Sequence, residues 1–115
     1  MACPLDYTLC DRTVTVYRMG NGKLQRLVVE GCYYVYEDVE LCDVLGQRME
    51  RRFLLIMPGS CQRVFRGDRI YDGIGPEAVN WREFIPAKVA GLSEVAYVRP
   101  SFWGGDVCHV EAGRK

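Results

Sequence analysis

One histidine and six cysteines are most of what this 115-residue chain offers to chemistry. His109 directly follows Cys108, and Cys61 or Cys108 is the thiol that could pair with it as nucleophile and base. Adjacent residues on a strand point to opposite faces, so Cys108 and His109 do not make a joint metal or catalytic pair. The remaining cysteines, Cys3, Cys10, Cys32 and Cys42, form no CxxC, the spacing expected of structural zinc. The glycine pair in SFWGGD lacks a following helix to cradle phosphate. No GxSxG, HExxH or Walker loop is present. Asp68, in RGDR, has the place of a turn residue whose carboxylate accepts local backbone N–H bonds. The residues therefore predict no catalytic centre, no metal and no cofactor.

The elements that would carry these residues are strands. Thr13–Arg18 (TVTVYR) alternates and is rich in β-branched residues. Asn21-Gly22 is a hairpin signal, and a second strand begins near Leu24. Along it Leu27, Val29, Tyr33 and Val35 alternate with Val28, Glu30, Cys32 and Tyr34, and Gly31 marks a bulge or sharp bend. A third strand, Arg48–Met57, becomes apolar on both faces toward its end and should enter the core. Pro58-Gly59 turns it, and Gly67-Asp68 turns the chain again before a short strand at Arg69–Tyr71. Gly75-Pro76-Glu77 has the grammar of a helix start, predicting one short helix from Pro76 to Ile85 that Pro86 ends. A final hairpin joins Val95–Val98 to Val107–Ala112 through Gly104-Gly105, with Pro100 placing the outgoing strand at an edge or bulge. The expected architecture is a mostly-β single domain over 1–115, a small barrel of about six strands with one short helix. Gly22, Gly59, Gly67, Asp68, Gly104 and Gly105 are its structural turn positions.

Between the second and third strands lies Glu37–Gln47, EDVELCDVLGQ, expected to be a long hairpin loop. Its carboxylates Glu37, Asp38, Glu40 and Asp43 are interleaved with Val39, Leu41, Val44 and Leu45. Those apolar side chains do not suit a free loop, so they either fold back on the sheet or meet a partner. This is the candidate partner-interface segment.

Charge is balanced, 15 basic against 15 acidic side chains, and both halves are near neutral. Nucleic-acid binders usually carry a basic excess, so direct specific nucleic-acid binding is not expected. Folding could still gather Arg48, Arg51 and Arg52, or Arg63, Arg66 and Arg69, on one face. Tyr33, Tyr34, Tyr36, Phe102 and Trp103 could stack bases, but tyrosines also simply suit sheets. No apolar run approaches the roughly 18 residues of a membrane span. The opening MACPLDYTLCDR lacks the basic and apolar regions of a secretory signal, so a cytosolic chain with six reduced thiols is expected.

The order of motifs resembles the small head–tail joining proteins of long-tailed phages and prophages, the minor capsid, head-closure or stopper proteins. The matching pieces are TVTVYR, LVVEGCYYVYED, RRFLLIMPG, FRGDRIYDGIGPE and VAYVRPSFWGGDVCHVEAGRK, which together span most of the chain. The resemblance implies a structural role. Such proteins form a ring beneath the portal vertex, close the channel against DNA leakage and present a docking face to the tail. It implies portal or adaptor and tail proteins as partners, self-association into a ring on that partner, and residence in the bacterial cytoplasm during assembly and then in the virion. Glu37–Gln47 would reach a neighbouring subunit or plug the channel. Two alternatives remain: a tail-completion protein of the same assembly, and an unrelated small β-barrel module that binds nucleic acid or protein.

Overall fold

Valine and threonine alternate through β1 (Arg12–Gly20), and the strand buries both of its faces from Val14 to Tyr17. A computed structural model of the chain describes residues 9–43, 46–59, 61–86 and 88–114, with backbone alone at 41, 43, 47–50 and 103. Asn21 and Gly22 both have positive φ, 51° and 73°, and join β1 to β2 (Lys23–Asp43) by a two-residue turn closed by the Gly20–Lys23 pair. That turn type requires left-handed residues at both central positions, which Asn-Gly supplies at little cost.

The 21-residue β2 is the spine of the molecule. Gly31, at φ 69°, sits in a bulge where Arg12 pairs with Cys32 but Val14 pairs with Val29. The extra residue bends the strand, so its first half pairs with β1 and its second half with β3 (Gly46–Pro58). The bulge also reverses the alternation. Val29 faces the core before it; Cys32 and Tyr34 do so after it, while Val35 is exposed. The expected grouping of Val29 with Tyr33 and Val35 is therefore wrong beyond Gly31.

The remaining strands are β4 (Arg69–Asp72), β5 (Leu92–Glu94), β6 (Tyr97–Trp103) and β7 (Asp106–Arg114). All pair antiparallel in the order β5-β4-β1-β2-β3-β7-β6. The architecture is mostly β, a curled seven-stranded sheet forming a half-barrel, and not the closed six-stranded barrel with a helix expected from sequence. Its two outermost strands, β5 and β6, are separated in the chain by Val95 and Ala96 alone. That short segment laces the open side: Val95 N–H donates to the Asp68 carbonyl and Ala96 N–H to the Gly113 carbonyl, each at 2.8 Å.

Inside the curl, Val14, Val29, Tyr34, Leu55, Met57, Ile70 and Val110 form the main core. Each fully buried aliphatic there contributes about 1.5–3 kcal/mol. A second cluster covers the opposite face of β1, where Tyr17 and Leu92 pack with Phe84. It is built by the long connection from Asp72 to Leu92, which contains no helix among its described residues. The helix expected over Pro76–Ile85 is replaced by turns, and side chains from other elements take its carbonyls, Arg69 first among them. Its Nη1 donates to the carbonyls of Trp81 (2.6 Å) and Phe84 (2.7 Å), and its guanidinium lies 3.7 Å above the Trp81 ring. Two separate turns form, with Glu83 and Phe84 N–H donating to the Asn80 carbonyl and Lys88 and Val89 N–H donating to the Ile85 carbonyl. The Pro76 carbonyl, where the helix would begin, is taken by the Tyr17 hydroxyl at 2.5 Å, and those of Trp81 and Phe84 by Arg69. Among the described residues no helix is long and apolar enough to cross a membrane.

Candidate partner interface

The segment expected to be a loop is strand. β2 and β3 stay paired from Tyr33–Ile56 out to Asp43–Gly46, so the described residues of Glu37–Gln47 belong to a two-stranded arm continuing the sheet. Asp and Glu are poor strand formers alone, but the register set by the buried root carries outward along the ladder. Glu37, Asp38 and Glu40 are exposed and Val39 is half-buried. Leu41 and Asp43 lie within β2, their side chains outside what is described; Val44 and Leu45 lie outside the described residues altogether.

At the root of the arm Asp38 stands directly across from Arg51. Arg51 Nε donates to Asp38 Oδ1 at 2.9 Å and Nη2 to Oδ2 at 3.3 Å. The guanidinium also sits 4.1 Å above the Tyr36 ring, which packs on Tyr34. The Arg51 hydrogen bonds hold the Asp38 carboxyl below its usual range, and the same bonds raise Arg51. Asp38 is open to water, so this pair fixes the register of the root more than it stabilises the fold. Arg51 and Asp38 also line a cavity of about 250 Å³ with Pro86, Val89 and Leu92, where the arm leaves the body.

The turn positions are placed as follows. Gly59 and Gly67 have φ of 109° and 91°, and Gly104 and Gly105 are both positive at 60° and 87° between Trp103 and Asp106. Gly22 lies in the Asn-Gly turn already described. Asp68 accepts the local Phe65 N–H at 2.8 Å, as a turn carboxylate does. It also receives Arg18 Nε at 2.8 Å and Nη2 at 2.7 Å, a two-pronged ion pair with Asp68 only 2 % exposed. Sequence reading missed Arg18, which lies 50 residues away in the chain.

Through Arg18, the partner of Gln25, this turn lies beside the opposite end of β2 from the arm. Arg18 lies 4.2 Å over the Phe65 ring. Met19, Phe65, Arg66 and Trp81 surround a cavity of about 370 Å³ floored by Arg18 and Asp68. On the other side of Arg18 a second cavity of about 240 Å³ is lined by Gln25, Arg26, Leu27 and Arg63. Met19, Leu27 and Phe65 are large apolar side chains left exposed along it. Of the two arginine groups noted in the sequence, Arg63 and Arg66 join Arg18 here, while Arg69 turns inward to Trp81.

Thiol chemistry is not favoured by these surroundings. Cys32 is buried, its Sγ–H donates to the Arg12 carbonyl at 3.2 Å, and burial pushes its pKa up to about 11. Burial and the nearby Asp11 also raise Cys10. A nucleophilic thiol needs the opposite shift. Cys10, Cys32, Cys42 and Cys61 are free, but Cys108 is disulfide-bonded, so the expectation of six reduced thiols fails there. His109 is half-buried on β7 opposite Ser101 and Pro58. Among the described residues no three His, Cys, Asp or Glu side chains are grouped to hold a metal ion.

Comparison with known proteins returns no match: no protein family, curated protein or solved structure is significantly similar to this chain.

Proposed function

We propose that this chain is a structural protein of the head–tail junction of a phage or prophage, a head-closure or minor capsid protein that works by docking. The observation that carries the reading is the β2–β3 arm: a paired ribbon that continues past the core and presents Glu37, Asp38 and Glu40 to solvent. The order of motifs along the chain supports the class, since it resembles that of the head–tail joining proteins. Exposed Val35 and Tyr36 at the root of the arm add apolar contact area beside the charges. In this role the protein assembles in the bacterial cytoplasm on a portal or adaptor ring. The acidic ribbon meets that ring or the next subunit, and its carboxylates repel DNA phosphates in the channel.

The test is electron microscopy of the protein mixed with portal rings, wild type against a shortened arm. Asp38 and Arg51 are register partners, so replacing residues 39–50 by Asn-Gly closes the hairpin with a two-residue turn. The expected result is an added ring density with wild type and none with the shortened protein. Decoration by both, or by neither, refutes the docking role of the arm.

A further inference from the structure

The net charge is zero, yet the Arg18 end of the sheet carries cations without counter-charges. Its two cavities, of about 370 and 240 Å³, share Arg18 as a wall, and the chain between β3 and β4 adds Arg66 to the first and Arg63 to the second. Among the described residues lining either cavity the one carboxylate is Asp68, which is buried and already holds Arg18. Neither Arg63 nor Arg66 is in an ion pair with a described carboxylate. Arg63 Nε is moreover buried with no acceptor, a costly state that an anion on this guanidinium offsets. Arg26 is spent differently, its Nη2 donating to the Gly75 carbonyl at 2.6 Å. The larger cavity adds flat apolar surface beside these charges. Phe65 and Trp81 both line it, and Phe65 stays 44 % exposed although Arg18 lies over one face of its ring.

We propose that this groove binds single-stranded nucleic acid without sequence preference. Two features select the ligand. The unpaired guanidiniums call for repeated negative charge, and the exposed ring beside them calls for a planar partner. A single strand offers both in alternation, a phosphate and a free base at every nucleotide. A duplex keeps its bases in its own stack, so it can meet the arginines but not the faces of Phe65 and Trp81. An acidic peptide brings carboxylates and no flat faces. Every base has a π face, so contacts to backbone charge and ring surface tolerate any sequence. Whole-chain charge balance does not report this site, because it averages the Arg18 end with carboxylates elsewhere in the chain. With only two unpaired arginines the binding is weak, with a dissociation constant on the order of 10–100 µM at low salt. This goes beyond the docking role and does not depend on it, and its test uses this chain alone.

The test is fluorescence anisotropy of a labelled oligo-dT strand of about twelve nucleotides, within the ~4–16 that small single-strand-binding barrels cover, titrated with the protein at low salt. An oligo-U strand of the same length runs in parallel, and the tighter of the two names DNA or RNA as the source. Wild type is expected to bind, with log K falling against log salt at a slope of roughly −1.4, about 0.7 for each of two phosphates. Arg66 is exposed, and Arg66→Ala is expected to weaken binding at least about threefold and to make the slope shallower by about 0.7. Phe65→Leu keeps apolar bulk and removes the flat face; a loss of at least about fivefold with an unchanged slope is expected. The oligo-dT·oligo-dA duplex should bind at least about fivefold more weakly than the strand, and polyglutamate of equal charge should displace the strand poorly. Thermal melts of the variants should match wild type; if Phe65→Leu melts early, Arg66→Ala and Arg66→Glu carry the test, the charge reversal binding more weakly than the truncation. No anisotropy change at protein concentrations up to about 1 mM, Arg66 variants that bind like wild type, or a duplex held as tightly as the strand would each overturn the proposal. So would ready displacement by polyglutamate, since the groove would then be a site for acidic peptide.

Discussion

Replacing Asp68 by Ala should cost about 3 kcal/mol of folding stability. The carboxylate is 2 % exposed and accepts three hydrogen bonds, two from Arg18 and one from Phe65 N–H. Truncating one partner of a buried ion pair typically costs about 3–5 kcal/mol, because the other charge is left unpaired. The Arg18 side chain is 34 % exposed, so water recovers part of its solvation and the lower end applies. Asp68→Asn retains one carbonyl oxygen but turns an amide N–H toward Arg18, and about 2 kcal/mol is expected. For a domain of this size 3 kcal/mol corresponds to a fall in Tm of about 15 °C. The assay is equilibrium urea unfolding of wild type, Asp68→Ala, Arg18→Ala and the double variant. If the pair is the cause, the double variant loses at least about 1 kcal/mol less than the sum of the singles. An Asp68→Ala protein within about 0.5 kcal/mol of wild type, a surface-like effect, would refute the reasoning, and so would strict additivity.

Gly113→Ala should destabilise by at least about 2 kcal/mol, checked by thermal melt, because a Cβ there would run into the Phe53 carbonyl oxygen across the β3–β7 ladder. Cys32 should react with alkylating reagents far more slowly than exposed Cys42 and Cys61, measured by mass spectrometry over time. Its raised pKa also has a sign: the unfolded thiol ionises at about 8.5 while the folded one stays protonated to about 11, so this contribution is full below the first value and is lost as pH rises between the two. The shortened arm, with Asn-Gly in place of residues 39–50, should melt within about 2 °C of wild type, since none of the described core residues comes from the distal arm.

The turns and the paired ladders were the most legible part of the fold, because Asn21-Gly22, Gly104-Gly105 and Gly67-Asp68 act locally. Positive φ at adjacent residues admits few side chains, and those residues are written in the chain. The bend at Gly31 was equally local, but its consequence for Tyr33 to Tyr36 was not, since one inserted residue moves every later side chain to the other face. The false helix over Pro76–Ile85 shows the reverse case. Its capping grammar is sound, but distant side chains, Tyr17 and Arg69, take carbonyls the helix needs. Glu37–Gln47 looks like a loop by composition because its propensity is poor, while the conformation of its described residues is inherited from a register fixed at the root, where Tyr33–Tyr36 pair with Phe53–Ile56. Of the candidate surface, the acidic arm is visible in one stretch of sequence. The basic groove is assembled from β1, β2 and the turn before β4, so only folding brings Arg18, Arg63 and Arg66 together.

The lacing of the half-barrel by Val95 and Ala96 bears on how the protein behaves when crowded. An open sheet normally has two independent edges, and fraying of either exposes unpaired backbone to other chains. Here the outermost strands β5 and β6 are successive parts of one segment. Peeling β6 from β7 pulls on β5 through two residues that are themselves bonded to Gly113 and Asp68. The edges thus open together or not at all, and a single opening must break both ladders at once. Exchange of the ladder-bonded amides within Leu92–Trp103 should accordingly follow one rate, and a protein held at high local concentration resists polymerising through its own rims.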